Sequence, residues 1–123
     1  MTDATTNVAD LRALLEQFVA EREWHKYHDA KNLSMSIAIE AAELMEHFQW
    51  VRNEELPELL TNPEKRSEII EELADITCYV LSLANALDTD LSAAVASKVA
   101  KNAAKYPVEQ FRGRYFKPAE RSI

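Results

Sequence analysis

Two pairs of acidic residues in the middle of the chain have a spacing that could bind a metal ion. Glu40 and Glu43 form the first pair, and Glu72 and Asp75 form the second. Residues three apart share one face of a helix, so each pair would present two carboxylates side by side. Carboxylates without a histidine or cysteine cluster suit a hard cation better than zinc. The pattern predicts a Mg²⁺ site, which Mn²⁺ could also occupy.

The residues that flank the two acidic pairs are also alike. Ile37 and Leu44 flank the first pair at the same spacing at which Ile69 and Ile76 flank the second. If these apolar ridges pack together, as antiparallel neighbours in a helical bundle do, the acids converge at the margin of the contact. Clustered, half-buried carboxylates repel one another and are costly to bury unless a cation neutralises them. Two packed helices would therefore complete the site.

Two other interpretations of the acids can be weighed against the metal site. Solvated acids on a helix commonly pair with Lys or Arg four residues later, but here those positions hold Leu44, His47, Ile76 and Tyr79. A di-iron carboxylate bundle needs Glu-x-x-His on two helices. No glutamate stands three residues before any of the histidines, which are His25, His28 and His47. The first interpretation is disfavoured and the second motif is absent.

Aromatic and cationic side chains accompany the acids. A slot for a planar base could use stacking, which contributes ~1–3 kcal/mol per base, although a lone Trp equally often fills a core. A stripe of lysines on a later helix could hold phosphates, although a solvated face is the more common role. The candidates for the slot are Trp24, Tyr27, His28, Trp50 and Tyr79, and those for the stripe are Lys98, Lys101, Asn102 and Lys105.

Composition limits the class of protein. The 123 residues suffice for one domain, and a single glycine with four prolines favours an all-α fold over one built from hairpins. A net charge of −7 argues against binding a nucleic-acid polymer. The lone Cys78 excludes a disulfide within the chain, and neither a leader peptide nor a membrane span is apparent. We expect a cytoplasmic protein that does not bind membranes.

Four helices and one tail are predicted along the chain. Helix starts follow from capping residues and Pro63, and helix ends follow from breaks in the apolar period and from Pro107. Residues 23–29 are predicted to connect the first two helices, and residues 51–62 are predicted to form a loop. The helices cover 8–22, then from Asn32 or Ser34 to near Trp50, then 63–87 and 91–105, within a domain spanning 1–107 followed by a basic tail at 108–123.

Three segments resemble one known family. They are the run Glu40-Ala-Ala-Glu43-Leu44, the run Phe48-Gln-Trp50, and the run Glu71-Glu72-Leu-Ala-Asp75-Ile76. Together they resemble the all-helical nucleotide pyrophosphohydrolases called MazG-like, and within these they are most similar to the dCTP pyrophosphatases. The similarity extends over residues 11–107. It implies a four-helix MazG-like bundle that forms a homodimer or a homotetramer, with active sites near the subunit contacts.

The resemblance also implies roles for individual residues. By that resemblance, the four acids Glu40, Glu43, Glu72 and Asp75 bind magnesium and are catalytic. The positions that would line the nucleotide pocket are Trp24, His28, Trp50 and Tyr79, and those that would contact phosphates or sugar are Lys98, Asn102 and Tyr106. Relatives that favour cytosine nucleotides can carry a His one turn before the residue matching Phe18. This chain has Leu15 there, so the preferred base is left open.

The implied activity is hydrolysis between the α- and β-phosphates of a nucleoside triphosphate. The products would be a nucleoside monophosphate and pyrophosphate, and dCTP or a modified dCTP would be the substrate of a house-cleaning reaction. Glu40 or Glu43 could orient or deprotonate the attacking water. The rival hypothesis is a helical module that oligomerises through its apolar ridges and catalyses nothing.

Overall fold

The computed structural model describes residues 1–116, which form four long helices and two short ones. No β-strand occurs within this described range, so the prediction of an all-α fold is confirmed. Single turns of 3₁₀-helix lie at His25–Tyr27 and Asn53–Glu55. The α-helices are α1 (Val8–Glu21), α2 (Ala30–Glu46), α3 (Leu56–Thr61), α4 (Pro63–Ala86), α5 (Leu91–Lys105) and α6 (Val108–Phe111).

The chain divides into two compact units. The first spans Met1–Thr89 and contains α1 to α4, and the second begins at Asp90. The predicted tail at 108–123 begins with the short helix α6, and its residues from Lys117 onward lie outside the described range. The predicted boundary after residue 107 stays a prediction.

Capping side chains start three helices where the sequence predicts them. The Asn7 side chain accepts from the Asp10 amide at 2.8 Å, and the Asp10 carboxylate accepts from the Asn7 amide at 3.0 Å. This reciprocal arrangement is a capping box, which satisfies two amides that lack helical partners. Asn62 caps α4 ahead of Pro63, and Asp90 caps α5. The predicted starts of α1, α4 and α5 are therefore confirmed.

The predicted start of α2 is wrong. Neither Asn32 nor Ser34 caps this helix; Asp29 does, and its carboxylate accepts from the Asn32 amide at 2.8 Å. The Asn32 side chain instead donates to the Tyr27 carbonyl at 3.1 Å. Because an aspartate provides the cap, the helix begins at Ala30. Residues 22–29 therefore join α1 to α2, close to the predicted connection of 23–29.

The loop predicted at 51–62 is also wrong, since α3 forms within it. Pro57 occupies the first turn of α3, where the missing N–H has no helical partner to lose. A proline that suggests a loop in the sequence thus starts a short helix. Leu56 and Leu59 give this helix a half-buried side. The preceding helix, α2, ends at Glu46 and not near Trp50.

Helices α2 and α4 pack against each other more extensively than any other pair in the first unit. Glu40 interacts with Glu72 and Asp75, whereas His47, further along α2, lies near Glu68 and Glu72. Later residues of α2 lie near earlier residues of α4, so the two helices are antiparallel, as predicted.

Few side chains of the described range are fully buried. Leu33 of α2 is 1% exposed. Val19 of α1 is also buried, as are Leu81 and Ala84 of α4. These residues place the core where the three helices meet. Leu14, Phe18, Ile70 and Leu73 remain about half exposed, with values of 52%, 45%, 48% and 55%. The core is therefore thin for a chain of this length.

Helix α1 ends in a Schellman motif without glycine. The Trp24 amide donates to the Val19 carbonyl, and the Glu23 amide donates to the Ala20 carbonyl, both at 3.0 Å. Glu23 adopts a φ of 53°, a conformation that glycine reaches at least cost. The turn directs Trp24 back toward Val19, and both residues line one cavity of the first unit.

Helix α4 ends in the same motif, which Arg12 of α1 stabilises by hydrogen bonds. Asp88 has a φ of 49°, and the Thr89 amide donates to the Ala84 carbonyl at 3.2 Å. The Arg12 guanidinium donates to the carbonyls of Ala84 and Thr89 and to the Asn85 side chain at 3.1, 2.6 and 2.8 Å. The Asn85 amide group donates back to the Arg12 carbonyl at 3.0 Å. A cation at the end of a helix also complements the helix dipole.

Arg12→Ala is expected to lower the free energy of unfolding by about 2–3 kcal/mol, because hydrogen bonds from a charged donor are lost and partly buried acceptors are left unpaired. Urea titration followed by circular dichroism measures the change. Arg52→Ala is the control, since that side chain is 78% exposed and makes one contact of 3.9 Å, with Glu55. Equal stability of the Arg12 and Arg52 variants would contradict the role of Arg12 in stabilising the end of α4.

Candidate active site

Three of the four predicted acids come together between α2 and α4. One carboxylate oxygen from each of Glu40, Glu43 and Glu72 lies within 4.8 Å of the others. We call these three residues the acid trio. Asp75 lies outside this distance but close enough for its charge to act on Glu40. The arrangement thus combines two acids from α2 with one from α4, and Asp75 stands beside them.

The environment of Glu40 disfavours negative charge. The pKa of Glu40 is raised from 4.5 to about 7, chiefly by burial and then by the neighbouring carboxyl groups of Glu43 and Glu72 and the charge of Asp75. Among the described residues, Oε2 of Glu40 and Oε2 of Glu72 are buried without a hydrogen-bond partner. Buried acceptors normally have partners. These unpaired carboxylate oxygens fit a bound divalent cation.

The raised pKa of Glu40 predicts a pH-dependent stability for the metal-free protein. Between pH 4.5 and about 7 the folded state holds this proton more tightly than the unfolded state, so the contribution of Glu40 to stability falls as pH rises through this range. Glu40→Gln should therefore be more stable than wild type at pH 7 in EDTA, and the difference should shrink toward pH 5. Urea unfolding at both pH values provides the measurement.

A matched acid variant makes this comparison specific. Glu54→Gln removes an exposed acid from a single 3₁₀ turn. Its stability relative to wild type should not follow the pattern of the Glu40 variant. A Glu40→Gln protein that is less stable than wild type at pH 7 in EDTA would contradict the electrostatic description of the acid trio.

A cavity of about 490 Å³ has Asp75, the acid that stands beside the acid trio, in its wall. We call it the aromatic cavity. The Phe18 and Trp24 rings meet edge-on with centroids 5.8 Å apart, and Trp24 meets the His28 ring at 6.2 Å. Its lining residues are Leu14, Leu15, Phe18, Val19, Trp24, His28, Asp75, Cys78, Tyr79 and Ser82.

Three side chains of the aromatic cavity carry polar groups that differ in hydrogen bonding and in pKa. The Nδ1 atom of His28 is buried and, in the described part of the chain, has no hydrogen-bond partner. Burial, followed by the charges of Glu40 and Asp75, raises the pKa of Tyr79, so its hydroxyl remains a donor. Partial burial and then the charge of Asp75 raise the pKa of the thiol of Cys78, an exposed residue, so little of the nucleophilic thiolate forms near neutral pH. The cavity therefore offers hydrogen-bonding groups among mainly apolar walls.

The other predicted site residues occupy different places. Trp50 lies in the turns after α2, where it is 86% exposed, and it does not line the aromatic cavity. Lys98, Asn102 and Tyr106 belong to the second unit; the first two lie on α5 and Tyr106 ends it. The Tyr106 ring meets Phe111 edge-on at 5.1 Å. The substrate-contacting roles of these four residues stay predictions.

Several residues of the site were not among the predicted ones. Phe18 and Leu15 line the cavity, and the available signal was that the position of Leu15, one turn before Phe18, can carry a His in relatives that favour cytosine nucleotides. Ser82 follows Tyr79 by three residues, which was the available signal that both share a face of α4. His47 lies beside Glu72, with Nε2 3.8 Å from Oε1. Its position four residues after Glu43 placed it on the same helix face as that acid without assigning it a contact.

Fold and site together define an all-helical protein with a carboxylate cluster beside an aromatic cavity. A model of the MazG-like family matches residues 35–115, so the chain belongs to the MazG-like family, as its motifs predicted. Membrane spans form no part of this fold, since no helix within residues 1–116 is long and apolar enough to cross a bilayer.

Named relatives support this assignment. The chain is 39% identical over 104 residues to dCTP pyrophosphatase 1 of Bos taurus and 37% identical over 103 residues to that of Homo sapiens. These alignments cover 85% and 84% of this chain but only 62% and 61% of the relatives, so the chain spans about three-fifths of their length. Among solved structures, a pyrophosphatase from Archaeoglobus fulgidus is 39% identical with a TM-score of 0.77 over 87% of this chain and 98% of that one.

Proposed function

We propose that this chain hydrolyses a nucleoside triphosphate between its α- and β-phosphates, using a divalent cation held by the four acids. The observation that carries the proposal is the position of Asp75, which lines the aromatic cavity and also acts on Glu40 of the acid trio. A base in the cavity would thus keep its phosphates near the carboxylates. The names of the relatives, dCTP pyrophosphatase 1 and a pyrophosphatase, agree with this reaction.

Glu40, Glu43, Glu72 and Asp75 would hold the cation, and their oxygen ligands suit Mg²⁺, with Mn²⁺ as a substitute. When bound, such an ion polarises phosphoryl oxygens, lowers the pKa of bound water and offsets charge on the leaving pyrophosphate. The unpaired oxygens of Glu40 and Glu72 support this assignment. Together the four side chains carry enough charge to balance a divalent ion and to orient it.

The remaining steps belong to residues of the chain. Glu40 or Glu43 would accept a proton from the attacking water, whose oxygen forms the new bond to the α-phosphorus. The bond from that phosphorus to the bridging oxygen breaks, and pyrophosphate leaves with the electron pair. Trp24 and His28 would position the base, and the protonated Tyr79 hydroxyl would donate a hydrogen bond to the nucleotide.

Residues outside the aromatic cavity complete this proposal. Lys98, Asn102 and Tyr106 would contact phosphates or sugar, and Trp50 would cover the base. A homodimer or homotetramer is proposed because large apolar side chains such as Leu14 and Leu73 are half exposed, and burying them would stabilise an assembly. The reducing cytosol is the proposed compartment because Cys78 has no cysteine partner in the chain.

The proposed substrate is dCTP or a modified dCTP. Leu15 contributes an apolar side chain to the cavity wall, so discrimination among bases would rest on His28, Tyr79 and Ser82. Pyrophosphate release should be measured on a panel of ribo- and deoxynucleoside triphosphates, with Mg²⁺ and with EDTA. Release of pyrophosphate and monophosphate from a cytosine deoxynucleotide, abolished by EDTA, is the expected result. Release of orthophosphate alone would overturn the assigned bond.

A non-catalytic oligomerisation module is the second candidate function, and the exposed apolar side chains favour it. Thermal unfolding with and without Mg²⁺ distinguishes the two candidates. A ligand that binds the folded state must raise the unfolding temperature, whereas a pure scaffold gains nothing from Mg²⁺. A rise with Mg²⁺ together with turnover would support the enzyme.

A further inference from the structure

His47, directly after α2, lies between two acids of α4. Its Nε2 atom is 3.8 Å from Oε1 of Glu72, and its Nδ1 atom is 3.9 Å from Oε2 of Glu68. Both distances exceed those of direct hydrogen bonds, so the contacts are longer-range electrostatic ones between the ring and the carboxylates. The side chains of His47 and Glu72 are only 19% and 20% exposed, which strengthens such contacts. Both ring nitrogens therefore face a carboxylate.

The two oxygens of Glu72 have different surroundings. Oε1 faces His47, whereas Oε2 is buried and has no partner among residues 1–116. Glu72 also places an oxygen within 4.8 Å of those of Glu40 and Glu43. In the described chain, His47 is the one basic side chain within ion-pair distance of Glu72. Beside the other acids of the trio, His47 is thus the basic neighbour that can limit how the Glu72 carboxylate turns.

We infer that His47 is a positioning residue for Glu72. It holds one oxygen of that carboxylate, so that the other stays available to a cation shared with Glu40 and Glu43. The inference rests on the proposed function only in taking the acid trio as the cation site. Groups that orient a metal ligand typically change metal affinity or activity by about 10–100-fold when they are removed.

A row of charged side chains extends behind His47. Glu68 contacts the second ring nitrogen, and the Lys65 ammonium lies 3.2 Å from Oε2 of Glu68. Glu68 would therefore restrain the imidazole, and Lys65 would restrain Glu68. Since each step away from Glu72 adds a flexible side chain, the influence on cation binding should decrease from His47 to Glu68 and then to Lys65.

Calorimetric titration of the nucleotide-free full chain with Mg²⁺ tests this order. His47→Leu should weaken Mg²⁺ binding by about 10–100-fold. His47→Gln should recover part of the affinity, because its amide can donate to Glu72. Glu68→Ala should show a smaller loss than His47→Leu. Lys65→Ala is the control and should bind Mg²⁺ within about twofold of wild type, because its ion pair is exposed.

Turnover adds a second readout. If His47 only positions Glu72, saturating Mg²⁺ should restore kcat of His47→Leu to within about threefold of wild type, since the loss lies in cation binding. Wild-type Mg²⁺ affinity in His47→Leu would overturn the inference while leaving the acid trio as the cation site. If His47→Leu does not fold, Glu68→Ala decides: weakened binding supports the inference, and unchanged binding overturns it. Failure of the wild-type chain to bind Mg²⁺ would overturn the cation site itself.

Discussion

Glu72→Gln is expected to lower the rate of Mg²⁺-dependent pyrophosphate release by roughly 10²–10³-fold, as when a single group that stabilises transition-state charge is removed. The substitution keeps the shape of the side chain but removes its negative charge from the acid trio. One oxygen of Glu72 is buried and unpaired within the described structure, so removing the negative charge should weaken cation binding at the proposed site. Initial rates at saturating nucleotide and Mg²⁺ provide the measurement.

Companion variants separate catalysis from folding. Glu43→Gln and Asp75→Asn should also fold normally and lose Mg²⁺-dependent turnover. Glu71→Gln is the matched control, because Glu71 is an exposed acid beside Glu72 and lies outside the acid trio. Its rate should stay within about twofold of wild type, as expected for a surface substitution. Wild-type release of pyrophosphate by both companion variants would remove the acids from the mechanism.

Leu33→Ala is expected to have the largest effect on stability, lowering the free energy of unfolding by about 2–5 kcal/mol. Leu33 is 1% exposed, and few other side chains of the described range are fully buried. Removing its methyl groups leaves a cavity that the surrounding helices can close only in part. Since small domains are stable by only about 5–15 kcal/mol, such a loss would remove a large share of the total stability.

Urea unfolding at one fixed protein concentration measures this loss, because self-association would make stability depend on concentration. Ile39→Ala on the same helix is the control. Its side chain is 57% exposed, so the change should stay below about 1 kcal/mol. A Leu33 variant no less stable than the Ile39 variant would show that the core lies elsewhere.

The helices could be predicted where local chemistry determines their ends. Asn62 followed by Pro63, and Asp90 before Leu91, start helices through short-range contacts that a sequence pattern contains. The error at Pro57 arose because proline is compatible with a loop and with the first turn of a helix, and only the half-buried side of α3 decides between them. Tertiary packing is not visible in a local pattern.

The candidate site could be predicted in part for a similar reason. Helical spacing determines that Glu40 and Glu43 share a face, and the matching ridges determine which face meets α4. Spacing does not determine distances between helices. It therefore could not predict that Asp75 lies beside the acid trio and not within it. Nor does it place Trp50, whose position depends on turns without an apolar period.

The hydrogen bonds from Arg12 of α1 to the end of α4 have a consequence for the order of folding. The bonds to Asn85 and Thr89 join residues 73 and 77 positions apart, and such distant contacts form slowly because a long loop must close first. The contact between α2 and α4 spans a shorter stretch of chain and is more extensive. The acids should therefore assemble early, and the aromatic cavity, whose wall needs Leu14 and Phe18 of α1, should close last. A newly made chain would thus acquire the proposed cation site before the proposed pocket for the base.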